Sequence, residues 1–451
     1  MNSPNSCTIH PPRHRGSGRL RGVLFALSLG CLVTSAIRAR AEPPSSGDEF
    51  HPSSELDLVA LSQAVRDHSP ALQQDHLAVD LSQSDARQSR LIDNPVLDAA
   101  VGTIPLGTAN PSDLPNPLQN IPNYGVGLSI HPDLARRGAR IERASHLVEA
   151  ADAQRRASVR AQALALLRTL GDLAIASLRQ SADVRLVTQS RSALLLARER
   201  VKTGFGPPLD ADRAEIELLR LEQQVAADQG DILAAQAMCG QFVGSRCATF
   251  PDEAEARRFL ARWFSRAETM PPRIETRPDL QALTALQAAA CAEERQAYSQ
   301  RIPDPTLRVG YLYDRFVASG NQQHSMSVSL STPLALIDHG QSGIQAAQSR
   351  ARRFAEQKRL TLRSSEVRID SLKRALMTQR QRLGTLQEQV LPRGQAILRD
   401  VRRAFEARAV PLTDLNQAQR ALDELLLQEA TTLGDLFRLS VDLVQEGVSD
   451  E

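Results

Sequence analysis

The sequence predicts a mainly α-helical protein in which long helical hairpins alternate with pairs of β-strands of the transmembrane-barrel type. Three observations support this fold class. Two stretches have an uninterrupted helical pattern far longer than an ordinary helix, four short segments alternate apolar and small residues, and the whole order repeats after about 200 residues. A repeat of this length is too long for a solenoid, so the chain contains two copies of one supersecondary unit.

The first long helix is predicted over residues 138–203. This stretch contains no proline, and its only glycine after Gly138 is Gly171. Ala, Leu, Arg, Glu and Gln dominate it, and these residues lose little side-chain freedom in a helix. Because globular helices rarely exceed about 20 residues, the length indicates a coiled coil or a helical tube. Residues 340–409 repeat the pattern, and return helices are predicted over 209–242 and up to about residue 445.

The four alternating segments have one apolar face and one face of small or polar residues, as a barrel strand does. Four strands are too few to close a barrel. Strands from several copies of the chain must therefore combine, so that the backbone groups of every edge strand are hydrogen-bonded within the membrane. The alternative is a small soluble sheet packed on helices. It stays open because the strands have few of the aromatic residues that form girdles at the membrane interfaces of a barrel. The segments are 96–103, 124–130, 306–313 and 325–331, and the girdle candidates are Tyr124, Tyr311, Tyr313 and Phe316.

The N-terminus has the pattern of a secretory signal peptide. Four arginines between residues 13 and 21 precede an apolar run over 23–37, and Ala39-Arg40-Ala41 is a small-x-small cleavage site. A lipoprotein acceptor at Cys31 is an alternative, although Ser28 stands where such sites usually have leucine. The mature chain is therefore predicted to be exported, and no other stretch is long and apolar enough for a transmembrane helix.

The predicted organisation places one repeat on each side of a connector. Ser69-Pro70 interrupts the first helical region, and Ser69 is predicted to cap the helix that begins at Pro70. The predicted segments are a signal peptide over 1–41, a flexible segment over 42–54, a first repeat over 55–245 with its hairpin tip near 204–210, a connector over 246–275, a second repeat over 276–446 with its tip near 408–414, and a tail over 447–451.

Composition and motifs argue against an enzyme or a nucleic-acid-binding protein. The 54 basic and 52 acidic residues leave a net charge of only +2. The sequence has no Gly-rich phosphate loop, no nucleophile elbow and no paired-histidine helix motif, so we expect no catalytic residue, cofactor or metal site. Cys239 and Cys247 do not have zinc-site spacing. In an oxidising compartment they could instead form a disulfide across a short loop.

Several short motifs follow one another along the chain, and two of them occur in both halves. They are Ser69-Pro70-x-Leu72 and Arg277-Pro278-Asp279-Leu280, Asn94-Pro95 and Asp304-Pro305 before the strands, DLARRG over 133–138, and Arg200-x-x-x-Gly204-x-x-Pro207-x-x-Asp210 at the first tip. On these residues the chain resembles the TolC-like outer membrane efflux protein family over nearly all of its mature length.

The resemblance implies a homotrimer in which a twelve-stranded β-barrel in the outer membrane of a Gram-negative bacterium continues into an α-helical barrel in the periplasm. Such a protein is the passive exit duct of a tripartite efflux or type I secretion system. The implied partners are a periplasmic adaptor (membrane fusion) protein, an inner-membrane RND or ABC transporter, and outer-membrane lipid. Residues 134–140 look somewhat like those of heavy-metal efflux members. The alternative is a periplasmic structural coiled-coil protein without a pore.

The resemblance also assigns roles to the hairpin tips. It implies adaptor contact at Gly204, Phe205, Gly206, Val410 and Pro411. Asp210 and Asp414 match acidic positions that constrict the periplasmic entrance and favour cations, since a ring of carboxylates focuses a negative potential. Each aspartate could equally serve only to stabilise the start of a return helix.

The second tip departs from the family pattern at three positions. Arg408 occupies the usual glycine position, Val410 stands where a gate-forming arginine is found, and Gln417 replaces a second acidic residue. The sequence therefore predicts a weaker acidic ring at this entrance.

Overall fold

The computed structural model describes residues 49–53, 55–66, 69–102, 123–133, 135–269, 273–299, 301, 304–314 and 322–447. The predicted signal peptide, Cys31, Leu134, Phe316 and the tail residues 448–451 lie outside this part of the chain.

The described residues contain nine α-helices, a short 3₁₀ helix at Ile274–Thr276 and four strands. The helices are α1 Leu58–Arg66, α2 Pro70–Gln88, α3 Arg137–Lys202, α4 Pro208–Val243, α5 Glu253–Thr269, α6 Pro278–Ser299, α7 Gln341–Thr385, α8 Leu391–Glu406 and α9 Leu412–Gly447. The strands are β1 Val96–Gly102, β2 Asn123–Ile130, β3 Thr306–Asp314 and β4 His324–Ser331.

Helix α3 confirms the predicted long helix, with its 66 residues shifted by a single position. It contacts α4, α6 and α9, and the apolar residues of its middle are fully buried, including Leu167, Leu170 and Leu173. One window of α3 is apolar enough to cross a membrane, but 56% of that window is buried inside the protein. This burial is what a core helix shows, so we interpret α3 as the central helix of the helical body.

The second long arm is not the uninterrupted helix that the sequence predicts over 340–409. A π-helical segment, Leu386–Val390, separates α7 from α8. Pro392 follows immediately, and a proline supplies no amide hydrogen to a preceding helical turn. The arm therefore stays helical in direction but changes its hydrogen-bond spacing for one turn, as π-bulges do.

The four strands form one antiparallel sheet in the order β1-β2-β3-β4, and the β2–β3 pair joins the two repeats. The register places the apolar residues of all four strands on the same face, as in the row Ala99, Val126, Tyr311 and Met326. Nothing in the described part of the chain covers this face, and Leu97, Met326 and Leu330 are each at least 70% exposed. Strands β1 and β4 are the open edges of the sheet.

Two segments outside the predicted repeats pack on the main core. The connector contains helix α5, whose Phe259, Leu260 and Trp263 are buried in the main core with Phe437 of α9. In the predicted flexible segment, Phe50 pairs with the chain near Cys247 through two backbone hydrogen bonds and packs on the same core. Both segments have large apolar side chains that the main core buries.

The prediction that the side chain of Ser69 caps α2 is wrong. Ser69 holds the N-cap position of α2, but its side chain makes no capping hydrogen bond. The backbone carbonyl of Ser69 accepts a hydrogen bond from the amide of Leu72 instead. Pro70 at the first position of the helix needs no hydrogen-bond partner there.

Candidate functional site

The first hairpin tip is a tight turn of the Schellman type. The amide of Phe205 donates to the carbonyl of Arg200 at 2.9 Å, and the amide of Gly204 donates to the carbonyl of Val201 at 3.1 Å. Gly204 has a φ of +73°, the left-handed conformation that this motif requires after a helix. The tip glycine of the sequence motif is thus explained by backbone geometry.

The second tip has the same turn without a glycine. The amide of Ala409 donates to the carbonyl of Ala404 at 2.8 Å, and the amide of Arg408 donates to that of Phe405 at 3.0 Å. Arg408 has a φ of +63° and is the non-glycine residue with positive φ in the described part of the chain. Left-handed backbone costs a residue with a side chain about 1 kcal/mol. The departure at Arg408 therefore keeps the shape of the tip at an energetic cost.

The two tips hold each other through two arginines. The guanidinium of Arg408 lies over the ring of Phe205, 4.0 Å from its centroid. In the other direction, the guanidinium of Arg200 lies 4.5 Å from the ring centroid of Phe405 and donates a hydrogen bond to the carbonyl of Val410 at 3.4 Å. Cation–π contacts of this kind contribute about 0.5–1 kcal/mol each at exposed positions. We call these four side chains the tip clasp.

The structure places the proposed adaptor-contact residues together at this end of the molecule. Phe205 is 61% exposed although Arg408 covers one side of its ring, and Gly204 and Pro411 are also exposed. Gly206 and Val410 are half-buried. The tips therefore present a small apolar surface bordered by arginine.

Asp210 and Asp414 lie in the first turns of α4 and α9, where negative charge favours the helix dipole. Asp210 is partly covered, and its carboxylate lies 3.9 Å from the guanidinium of Arg213. Asp414 is exposed, and the hydroxyl of Thr413 lies 3.4 Å from its Oδ1. These positions satisfy the helix-start role, and they leave the carboxylate of Asp414 facing solvent.

Ion pairs below the tips connect the return helices of the two repeats. The carboxylate of Glu217 on α4 is almost fully buried and accepts hydrogen bonds from Arg220 at 3.1 Å and from Arg420 on α9 at 2.7 Å. Arg220 also donates to Asp423 on α9 at 2.9 Å. Although burial opposes it, hydrogen bonding to the two arginines holds the pKa of Glu217 below its usual value, so this carboxylate stays charged.

A second buried carboxylate group lies further along the hairpins. Asp183 of α3 and Asp228 of α4 are 7% and 0% exposed, and Arg179 donates to Oδ1 of Asp228 at 2.5 Å. Oδ2 of Asp228 has no other hydrogen-bond donor. Burial, followed by the hydrogen bond and charge of Asp228, raises the pKa of Asp183 to about 7. A protonated Asp183 can therefore donate the missing hydrogen bond to Asp228.

Asp183 borders a cavity of about 400 Å³ between α3, α4 and α9. Arginines and carboxylates alternate around the cavity, among them Arg220, Arg257, Arg420 and Asp423. Arg257 reaches Glu429 of α9 at 3.1 Å, so α5 closes one side. These arginines are paired with carboxylates, so ion pairs around the cavity connect the two repeats.

The structure joins Cys239 and Cys247 in a disulfide, as the sequence analysis hypothesises, with their Cα atoms 6.0 Å apart. The bridge closes the turn after α4, where Gly244 has a φ of +67°. The same turn carries the backbone bridge to Phe50. The disulfide therefore fixes the end of the first hairpin to the core.

Sequence reasoning missed the tip clasp and the ion pairs between α4 and α9. Arg200 belongs to the first tip motif, but its partners Phe405 and Val410 lie about 200 residues away. Neither Glu217 nor Arg420 has an equivalent residue at the matching position of the other repeat, so the duplication did not indicate this ion pair. The one available signal was Arg408 itself, a charged residue where the motif has glycine.

Comparison with known proteins agrees with this architecture. The family described as "Outer membrane efflux protein" matches residues 61–244, which is nearly all of the first repeat. Among curated proteins, none matches the sequence significantly.

Solved structures extend the likeness to both repeats. The chain is similar to the outer-membrane channel OprN, with 18% identity and a TM-score of 0.67 over 91% of this chain and 95% of that one. It is similar to CusC, which forms a transmembrane channel, with 14% identity and a TM-score of 0.69 over 90% of this chain and 99% of that one. VceC, an outer membrane protein of Vibrio cholerae, gives 17% identity and a TM-score of 0.65 over 86% and 96% of the two chains.

The matched family is described as an outer membrane efflux protein, and the structures of OprN and CusC are described as channels. The first repeat therefore matches the outer membrane efflux protein family, and the chain shares its fold with these outer-membrane channels over both repeats.

Proposed function

We propose that three copies of the chain form the passive exit duct of a tripartite efflux or type I secretion system. In this assembly, twelve strands close a barrel in the outer membrane and the helices continue as a tube through the periplasm. The tips meet a periplasmic adaptor protein, behind which an inner-membrane RND or ABC transporter drives small molecules or metal ions into the duct.

The observation that carries this proposal is the uncovered apolar face of the sheet. Twelve large apolar side chains from the four strands are exposed on it, because no helix of the described chain packs there. A soluble protein rarely leaves so large a continuous apolar surface open to water. This apolar face is suited to contact with lipid. The opposite face, which is rich in glycine and serine, is suited to a water-filled lumen.

The edges of the sheet support closure by several copies. Strands β1 and β4 run in opposite directions, so β4 of one copy can pair with β1 of the next in the antiparallel sense. Every pair around such a ring would be antiparallel, as in outer-membrane barrels. Closure also satisfies the backbone groups that an open edge would expose to lipid.

The test is membrane fractionation followed by the native mass of the detergent-solubilised particle. We expect the protein in the outer membrane, with a protein mass about three times that of one mature chain. A soluble monomer or dimer in the periplasm would overturn the duct and favour the structural coiled-coil protein. The small number of aromatic residues on the strands, Tyr124, Tyr311 and Tyr313, is the observation that favours this alternative.

The tips supply a second test of the same function. Three exposed Asp414 carboxylates around a narrow entrance would concentrate cations there. Asp414→Asn should therefore lower the cation preference of single channels in planar bilayers, whereas Asp400→Asn, on an exposed site of α8, should leave it unchanged. Equal selectivity of all three proteins would remove Asp414 from the entrance.

A further inference from the structure

The small, polar face of the sheet carries one pair of opposite charges. In the described strands, this face is built from Ala, Gly, Ser and a few larger residues, with Asp314 at its far end. Asp98 of β1 and Arg308 of β3 lie near its other end, where the strands meet the helices. Their position is therefore on the wall that would face the lumen.

The pair spans the intervening strand. Nε of Arg308 donates to Oδ1 of Asp98 at 3.2 Å, and Nη2 donates to Oδ2, so the contact is bidentate. The two residues belong to strands that are two positions apart in the sheet, about 10 Å. Gly127 of β2 lies beneath the contact, and a Cβ there would come within 2.8 Å of both Arg308 Nε and Asp98 Oδ2. The bridge thus needs a glycine in the central strand.

Stability does not account for this arrangement. Both side chains remain partly exposed, at 43% for Arg308 and 33% for Asp98. An ion pair this exposed adds little stability in water. A glycine within a strand is itself destabilising. Because the two effects oppose each other, the feature that remains is the charge that the pair places on the wall.

We propose that Asp98 and Arg308 determine the charge selectivity of the barrel lumen, a role that rests on the proposed trimeric duct. Three symmetry-related pairs would form a ring in a wall that is otherwise lined mainly by small uncharged residues. Opposite charges side by side cancel at a distance, so the ring admits cationic and anionic solutes alike. Either residue alone would make the same ring selective for one sign of charge.

A thiol beside the pair can report the local potential without passing through the tip entrance. Ser329 of β4 lies directly opposite Arg308 in the register. Ser329→Cys is reacted in intact outer membranes with a cationic and an anionic methanethiosulfonate reagent, and the ratio of the two rates is measured. The unsubstituted chain gives the background of the native cysteines.

The two partners should move this ratio in opposite directions. With Asp98→Asn, the anionic reagent should gain on the cationic one by about two- to four-fold at low ionic strength, as expected for one unit charge about 10 Å away in water. With Arg308→Gln, the cationic reagent should gain by a similar factor. The double variant, and separately Arg308→Lys, should return the ratio close to its starting value.

Val328→Cys separates failure of this inference from failure of the duct. Val328 is the neighbour of Ser329 on the apolar face, so lipid should protect it from both charged reagents. Equal reactivity of the two cysteines would overturn the proposed barrel. A reactive Ser329→Cys and a protected Val328→Cys, with a rate ratio unmoved by either neutralisation, would keep the barrel and overturn the role of the pair.

Discussion

At the residue scale, the two tips reach one backbone conformation with different residues. Gly204 and Arg408 both occupy the left-handed position of a Schellman turn, with φ values of +73° and +63°. A Cβ on Gly204 would meet no atom within 4 Å, so nothing but backbone strain opposes a side chain there. At Arg408 the contact with Phe205 offsets part of that strain.

This balance gives a prediction for Arg408→Gly. In a Phe205→Ala background, the glycine should stabilise the tip by about 1 kcal/mol, because it removes strain and loses no ring contact. Amide hydrogen exchange across residues 405–411 should then slow about five-fold. With Phe205 present the gain should shrink, since the cation–π contact is lost.

Gly204→Ala is the matched control and should speed exchange at the first tip by a similar factor. If Arg408→Gly slowed exchange equally with and without Phe205, the arginine would not be compensated by the ring. The tip clasp would then be a contact without energetic weight.

At the element scale, the closest helix contact depends on the glycine inside α3. A Cβ on Gly171 would lie 2.0 Å from Cε1 of Phe437, so α9 packs directly on the α3 backbone. Gly434 of α9 is less crowded, because a Cβ there would lie 3.8 Å from Cγ1 of Ile175 on α3, an ordinary contact. The sequence shows Gly171 merely as an exception in a helical pattern, whereas the structure gives it a packing role.

Gly171→Ala should therefore destabilise the protein by about 3 kcal/mol or more, because it overpacks the α3–α9 contact. Gly230→Ala, in an exposed part of α4 with no atom within 4 Å of the added methyl, should stabilise it by about 0.5–1 kcal/mol. Denaturant unfolding of the detergent-solubilised protein checks both. Phe437→Leu should recover part of the loss at Gly171, and similar effects of the two alanines would exclude the packing explanation.

The buried carboxyl pair between α3 and α4 makes stability depend on pH. Burial raises the pKa of Asp183 to about 7, so the folded chain keeps a proton that the unfolded chain releases near its ordinary value of 3.8. The group therefore stabilises the fold most at low pH, and this contribution is lost as the pH rises from about 4 to about 7. Asp228 and Asp423 oppose ionisation of Asp183, while Arg179 favours it.

Asp183→Asn should remove this dependence, since the amide stays neutral and can still donate to Asp228. We expect the variant to be more stable than the parent at pH 8 by about 2 kcal/mol and no more stable at pH 5. Unfolding midpoints measured across this range test the sign. Asp231→Asn, at an exposed partner of Arg179, should leave the profile unchanged. Identical profiles for parent and Asp183→Asn would show that Asp183 is ionised throughout.

Periodicity predicted the elements well where one pattern dominates a long stretch. Helix α3 and the four strands lie within one or two residues of their predicted bounds, because each repeats a single spacing over its whole length. Helix α5 was not predicted, because its 17 residues lie in a segment that the sequence analysis described only as a connector. The clasp of Arg408 and Phe205 could not be predicted, since no local pattern tells which hairpin tips meet.

At the scale of the whole molecule, the duplication gives the chain two unlike surfaces. The helical body has a large core within one copy, although side chains such as Leu195 and Ile216 stay exposed, whereas the sheet leaves its whole apolar face open and both of its edges unpaired. The core is complete in one copy, and the sheet requires lipid and further copies. Substitutions in the sheet should accordingly depend on the face that they alter.

Adjacent residues of β4 provide the sharpest comparison. Val328 lies on the open apolar face at 66% exposure, and Ser327 lies on the face of glycine and serine. Val328→Arg should cost about 2–4 kcal/mol per chain in the membrane, because an arginine near the bilayer midplane must be desolvated. Ser327→Arg should be tolerated, since water would surround it in the lumen.

The measurement is the fraction of each variant recovered as a trimer from the outer membrane, where we expect a large loss for Val328→Arg alone. Equal recovery of both would mean that the face of Val328 does not contact lipid. Equal loss of both would mean that an arginine at either position disrupts β4. The variants Leu330→Arg and Ser331→Arg, which alter opposite faces at the end of the same strand, would then show which face contacts lipid.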